Sequence, residues 1–129
     1  MTDLPSPSQF EQSFEIGLAD VRDWAELLDD GNPLHEAAGG AVVPGPALLA
    51  LVCSATRNLL PSSRVANMSC RFAMPVTAPA FVTVRLHVGD CTGVVSDRQS
   101  ATAVLVVEGR EVFQANLVLT EIDVTYGAP

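Results

Sequence analysis

The chain has 129 residues, 48 % of them apolar, which is enough for one domain with a buried core and too little for a second. Seven basic residues against fifteen acidic ones give a formal charge of −8, which excludes the basic footprint of a nucleic-acid or anionic-membrane binder. Cys53, Cys70 and Cys91 are odd in number and unclustered, so neither a disulfide framework nor a zinc knuckle is indicated, and a reducing cytoplasm suits them.

Residues 1–12 read as a mobile start with Pro5 and Pro7 and no basic, apolar leader, and no apolar run in the chain reaches membrane-spanning length. Residues 13–19 are compatible with a first short strand, and Asp20 offers a side-chain oxygen as helix N-cap. Val21, Trp24, Leu27 and Leu28 follow helical spacing as one apolar stripe, and Gly31 and Pro33 end that helix. From Asn32 to Pro44 there is no periodicity, so an irregular loop is expected. Pro46 suits the first turn of a second helix, and Pro61 stops it. Leu48, Leu49, Leu51, Val52, Ala55 and Leu59 make that helix apolar nearly all round, the pattern of an enclosed helix.

Beyond Pro61 the period changes to two. Ala66, Met68, Cys70, Phe72 and Met74 alternate with Asn67, Ser69 and Arg71 as a half-buried strand, and Val82, Val84, Leu86 and Val88 alternate with Thr83, Arg85 and His87. Residues 101–107 and 112–120 form two more strands, joined by a tight turn at Glu108-Gly109-Arg110. The order strand, helix, helix, four strands predicts a single α+β domain in which an antiparallel sheet of about five strands wraps a central buried helix.

The chemistry-bearing segment is Asp30-Gly31-Asn32-Pro33-Leu34-His35, which sets a carboxylate and an imidazole across a helix end and loop. Histidine, with an ordinary pKa near ~6.5, exchanges protons at neutral pH, and a neighbouring carboxylate orients it or acts as its partner base. Further on, Gly45 opens the second helix, where free N–H groups and the positive dipole end can hold an oxyanion. On spacing alone, a capping aspartate and a loop histidine bonded to backbone are favoured over a catalytic pair.

Asp30 to His35 matches, position by position, an Asp, any residue, Asn-Pro, aliphatic, His signature. With Val43-Pro44-Gly45 before Leu48-Leu49, and the run from Ser69 to Val76 ending a strand at Pro75, the chain resembles the (R)-specific enoyl-CoA hydratase and MaoC-like dehydratase family, which has the hotdog fold. The resemblance runs from about Trp24 onward and turns the Asp30/His35 pair towards catalysis. It implies reversible hydration of trans-2-enoyl thioesters, or dehydration of (R)-3-hydroxyacyl thioesters, carried on CoA or an acyl carrier protein. Asp30 and His35 would activate the water, the Gly45 N–H would polarise the thioester carbonyl, and Asn32 would brace the loop. Cys53 and Ser54 fall where the family often has a small residue facing the substrate pocket.

The resemblance also implies a homodimer whose two sheets join, and calls for no metal or other cofactor. Two competing functions are a hotdog acyl-thioesterase and a non-catalytic partner subunit of a heteromeric dehydratase. The stretch from Glu36 to Pro44 is shorter and richer in glycine than the family's, so chain-length preference does not carry over and a more open pocket is expected. Asp29 is out of phase with the signature and reads as a solvated carboxylate, His87 as a surface or interface residue rather than a catalytic one, and Cys53 as core filling rather than a nucleophile. Arg57, Arg64 and Arg71 are positioned to meet CoA phosphates or, more simply, to face solvent.

Overall fold

Strict apolar alternation in the second half of the chain builds the sheet, and the apolar helix after Pro44 lies against it. The computed structural model describes residues 8–29, 40–89 and 98–121. In chain order its elements are β1 (Ser8–Ile16), α1 (Leu18–Leu27), β2 (Ala41–Val42), α2 (Gly45–Leu59), β3 (Ser63–Phe72), β4 (Thr77–Ala78), β5 (Ala80–Val88), β6 (Arg98–Val107) and β7 (Arg110–Glu121). The main sheet has five strands in the spatial order β1-β5-β6-β7-β3, and β2 and β4 form a separate pair. Every pairing is antiparallel.

One face of this sheet carries the core. Val82, Val84 and Leu86 of β5 and Phe113, Leu117 and Leu119 of β7 are buried, and they cluster with Leu48, Leu51, Val52 and Ala55 of α2. Each such side chain removed from water contributes about 1.5–3 kcal/mol. Thr56 is a buried polar residue of α2, and its hydroxyl donates to the Val52 carbonyl at 2.8 Å, so no donor is stranded there. The expected single α+β domain, an antiparallel five-stranded sheet packed on the central helix, is what forms. None of the described helices is long and apolar enough to cross a membrane.

Several local expectations are corrected. The first strand starts at Ser8 rather than at residue 13, and Ser8 to Gln12 pair in register with Val88 to Val84, so this part of the start is held by the sheet. Gly17, not Asp20, is the N-cap of α1; Asp20 sits in the first turn and its carboxylate accepts the Gly17 N–H at 2.8 Å. The stripe on α1 is narrower than its spacing suggests. Val21 and Ala25 are buried, but Leu27 is 81 % exposed. The helix also stops before Gly31, because Asp29 takes a left-handed φ of 54° and its N–H turns back to the Glu26 carbonyl at 3.1 Å.

α2 is enclosed on one side only within the protomer; Ala50, Cys53, Ser54, Arg57 and Asn58 are exposed. β3 does not keep the expected alternation: it is an edge strand with a bulge between Val65 and Asn67, and Ala66, Cys70, Phe72 and, beyond its end, Met74 are exposed, while Val65 and Met68 are half buried. The β6–β7 turn is tighter than three residues. Val107 pairs with Arg110 across Glu108 and Gly109, whose φ values of 51° and 75° are those of a two-residue turn matched to strand twist.

Candidate active site

Three short connections fix the start of α2. β2 pairs with β4 through Ala41–Ala78 and Val42–Thr77, and the Val43 N–H then donates to the Val76 carbonyl at 2.8 Å. Pro44, buried, is the N-cap, and Gly45 is the first helical residue. Because β4 follows directly on the turn that ends β3, these bonds bring the helix start beside the end of β3. A Cβ built on Gly45 would lie 3.2 and 3.3 Å from two ring carbons of Phe72. A side chain at 45 would therefore press on the Phe72 ring.

Among the described residues, no charged group neutralises the helix start. Neither a side-chain cap nor an acidic residue occupies the first turn of α2, and Pro46 has no N–H to offer. The Ala47 N–H is taken by the Pro44 carbonyl at 3.0 Å. As the first helical residue, Gly45 has no intrahelical acceptor for its N–H, and the 15-residue helix behind it adds the positive end of its dipole. Such a group can stabilise negative charge developing on a carbonyl oxygen.

Asp30, Asn32 and His35 lie outside the described residues, as does Cys91. What is described is the chain on either side of the first three. α1 delivers Asp29 at its end, and the chain is described again from Gly40 into β2, which lies alongside α1 and leads through Val43 and Pro44 to Gly45.

Cys53 and Ser54 are exposed on α2, about 12 Å along the helix axis from Gly45 at 1.5 Å per residue. Cys53 lines a separate hollow with Thr56, Arg57, Ser63, Arg64 and Val65 at the far end of the helix. Partial burial pushes its thiol above the ordinary value, which disfavours the thiolate a nucleophile needs. Cys53 and Ser54 are thus not brought to the Gly45 end.

His87 lies on the sheet face away from α2, as its alternation indicates. Ser69, Asn116, Thr102, His87 and Gln9 are cross-strand partners in one polar row over all five strands. The Gln9 side-chain amide reaches His87 Nδ1 at 3.4 Å, and Arg85 Nε donates to Glu11 Oε2 at 3.1 Å in the adjoining row. That face is a solvated surface.

Phe72 is the residue beside this site that sequence spacing does not single out. It reads there as one of several apolar residues on a strand face, and its contact with Gly45 depends on how β3 and α2 meet.

No protein-family profile and no curated protein matches the chain. Solved structures do. The R-hydratase PhaJ1 of Pseudomonas aeruginosa superposes with a TM-score of 0.82 at 20 % identity, over 93 % of this chain and 83 % of its own. The (R)-hydratase of A. caviae involved in PHA biosynthesis gives 0.80 at 23 % identity, over 94 % of this chain and 99 % of its own. A MaoC-like dehydratase from Rhodospirillum rubrum gives 0.74 at 19 % identity, over 93 % and 94 %. The chain has the hotdog fold. In hotdog terms α2 is the central helix and the five-stranded sheet its wrap, and at these identities the likeness is one of fold.

Proposed function

We propose that this hotdog protein hydrates trans-2-enoyl thioesters and, in reverse, dehydrates (R)-3-hydroxyacyl thioesters, on CoA or an acyl carrier protein. The observation that carries this reading is the tether of the signature segment. The chain bearing Asp30 and His35 leaves the end of α1 and returns through β2, which is pinned to β4 and runs directly into the N-terminus of α2 at Gly45. An acid–base pair held there would face the carbon skeleton of a thioester whose carbonyl oxygen accepts the Gly45 N–H.

In this mechanism the Gly45 N–H draws electron density towards the carbonyl oxygen and makes C3 electrophilic. Asp30 and His35 hold a water and take one of its protons as its oxygen bonds to C3. The resulting enolate oxygen is held at the helix N-terminus, and the same pair returns a proton to C2, so the added atoms sum to one water. Asn32 braces the loop. No metal or other cofactor is required by any step.

The reading includes a homodimer joined at β3. The end of this edge leaves Cys70, Phe72 and Met74 exposed, while the opposite edge, β1, presents Gln9, Glu11, Ser13 and Glu15. A second copy on β3 would cover apolar surface and satisfy an open ladder. Cys53 and Cys70 are free thiols, which fits the reducing cytoplasm.

Incubation with crotonyl-CoA tests the reaction: loss of the conjugated enoyl-thioester absorbance without release of free thiol is expected. Stoichiometric thiol release would instead mark a thioesterase, and no change in either would mark a non-catalytic subunit.

A further inference from the structure

Phe72 ends β3 with 49 % of its surface exposed, yet its ring is held from two directions. Its centroid lies 5.1 Å from that of the buried Phe113, with the rings at 68°, an edge-on contact between cross-strand partners. On another side the three atoms nearest to a Cβ built at Gly45 all belong to the Phe72 ring, at 3.2, 3.3 and 3.9 Å. The backbone beyond it is fixed too, since the N–H groups of Ala73 and Met74 both donate to the Val112 carbonyl, at 2.9 and 3.3 Å. A half-exposed aromatic ring is thus pinned against the first residue of the central helix, at the one N–H that the reaction proposed above uses as its oxyanion donor.

We propose that Phe72 is a positioning residue for that reaction. The ring sets the place of the first turn of α2 and covers one flank of Gly45, so that water approaches the Gly45 N–H from fewer directions. A hydrogen bond to a developing oxyanion is worth more where water is excluded and the donor is already aimed. Phe72 has no polar atom to compete for the N–H, and its edge-on seat on Phe113 leaves it little freedom to swing away. The inference rests on the hydratase reading, because without an oxyanion at Gly45 the ring would only be packing.

The test compares wild-type protein with Phe72→Ala, Phe72→Leu and Phe72→Tyr on crotonyl-CoA, with melting curves for all four and the Gly45→Ala substitution added to wild type and to Phe72→Ala. In Phe72→Ala, kcat is expected to fall about 10- to 100-fold, the scale of a misplaced oxyanion donor, with KM within about threefold. Phe72→Leu should lose less and Phe72→Tyr almost nothing, and Phe72→Leu carries the test should the alanine variant not fold. Gly45→Ala should lower the melting temperature less in the Phe72→Ala background than in wild type, because the added Cβ no longer meets the ring. Folded Phe72→Ala or Phe72→Leu with undiminished kcat, or a change confined to KM, overturns the assignment while the hydratase reading stands. Wild-type protein that leaves the thioester untouched overturns both, and the melting temperatures then report packing alone.

Discussion

Val43 donates its N–H to the Val76 carbonyl at 2.8 Å, so the link from β2 to α2 and the link from β3 to β4 are held as one unit. Ala41 and Ala78, opposite each other in the adjoining β2–β4 pair, are 2 % and 0 % exposed, so a larger side chain at either would enter the packed core. Ala78→Leu should therefore push the pair apart, at about 1–3 kcal/mol of stability for overpacking. Because β2 aims the chain into Gly45, turnover should fall further than the loss of folded protein explains. Chemical denaturation alongside kcat on folded protein checks this; unchanged stability would mean the pair is not closely packed.

The β6–β7 turn stores a small, removable cost. Glu108 has a left-handed φ of 51°, where a side chain other than Asn or Gly is disfavoured, and Gly109 has 75°. Glu108→Asn should raise stability by about 0.5–1 kcal/mol, while Gly109→Ala should lower it by about 1–2 kcal/mol. Urea midpoints of the two variants would show it, and shifts of the same sign would contradict the turn assignment.

The edge at β3 gives the association test. Cys70 is exposed on β3, on the strand face that also carries Phe72. Cys70→Arg puts a charge where a second copy is proposed to sit, and should convert a dimer to monomer in sedimentation velocity while leaving the fold intact by circular dichroism. An unaltered dimer would move the interface elsewhere, and a wild-type monomer that turns over substrate would remove it from the mechanism.

How much of this was legible in the sequence follows from where each element buries its residues. β5 alternates cleanly because one face of it meets α2, so Val82, Val84, Leu86 and Val88 were read onto the correct face. β2 and β4, at two residues each, are too short to carry a period, and they are what fixes the helix start. Leu27 continues a helical stripe yet is exposed, since burial on α1 ends with Ala25. In sequence, Cys70 and Phe72 obey the alternation of a half-buried strand, but β3 has a neighbour on one side only, and a sequence period cannot say which strand is the edge. At the site, Gly45 was legible as the helix opener, while its contact with Phe72 is long-range and left no local signal. Asp30, Asn32 and His35 were legible as a motif and lie outside the described residues.

The central claim is that Asp30 and His35 perform the proton transfers. It is tested most directly by measuring crotonyl-CoA hydration for wild-type protein, Asp30→Asn and His35→Ala, each verified as folded by its melting curve. Both residues fall in a stretch of sequence without helical or strand periodicity, where truncation is expected to cost little stability, whereas a general acid–base group contributes about 10²–10⁴-fold. The expected result is active wild type and a loss of that size in kcat for each variant with unchanged melting; near-normal turnover by either folded variant would contradict the account.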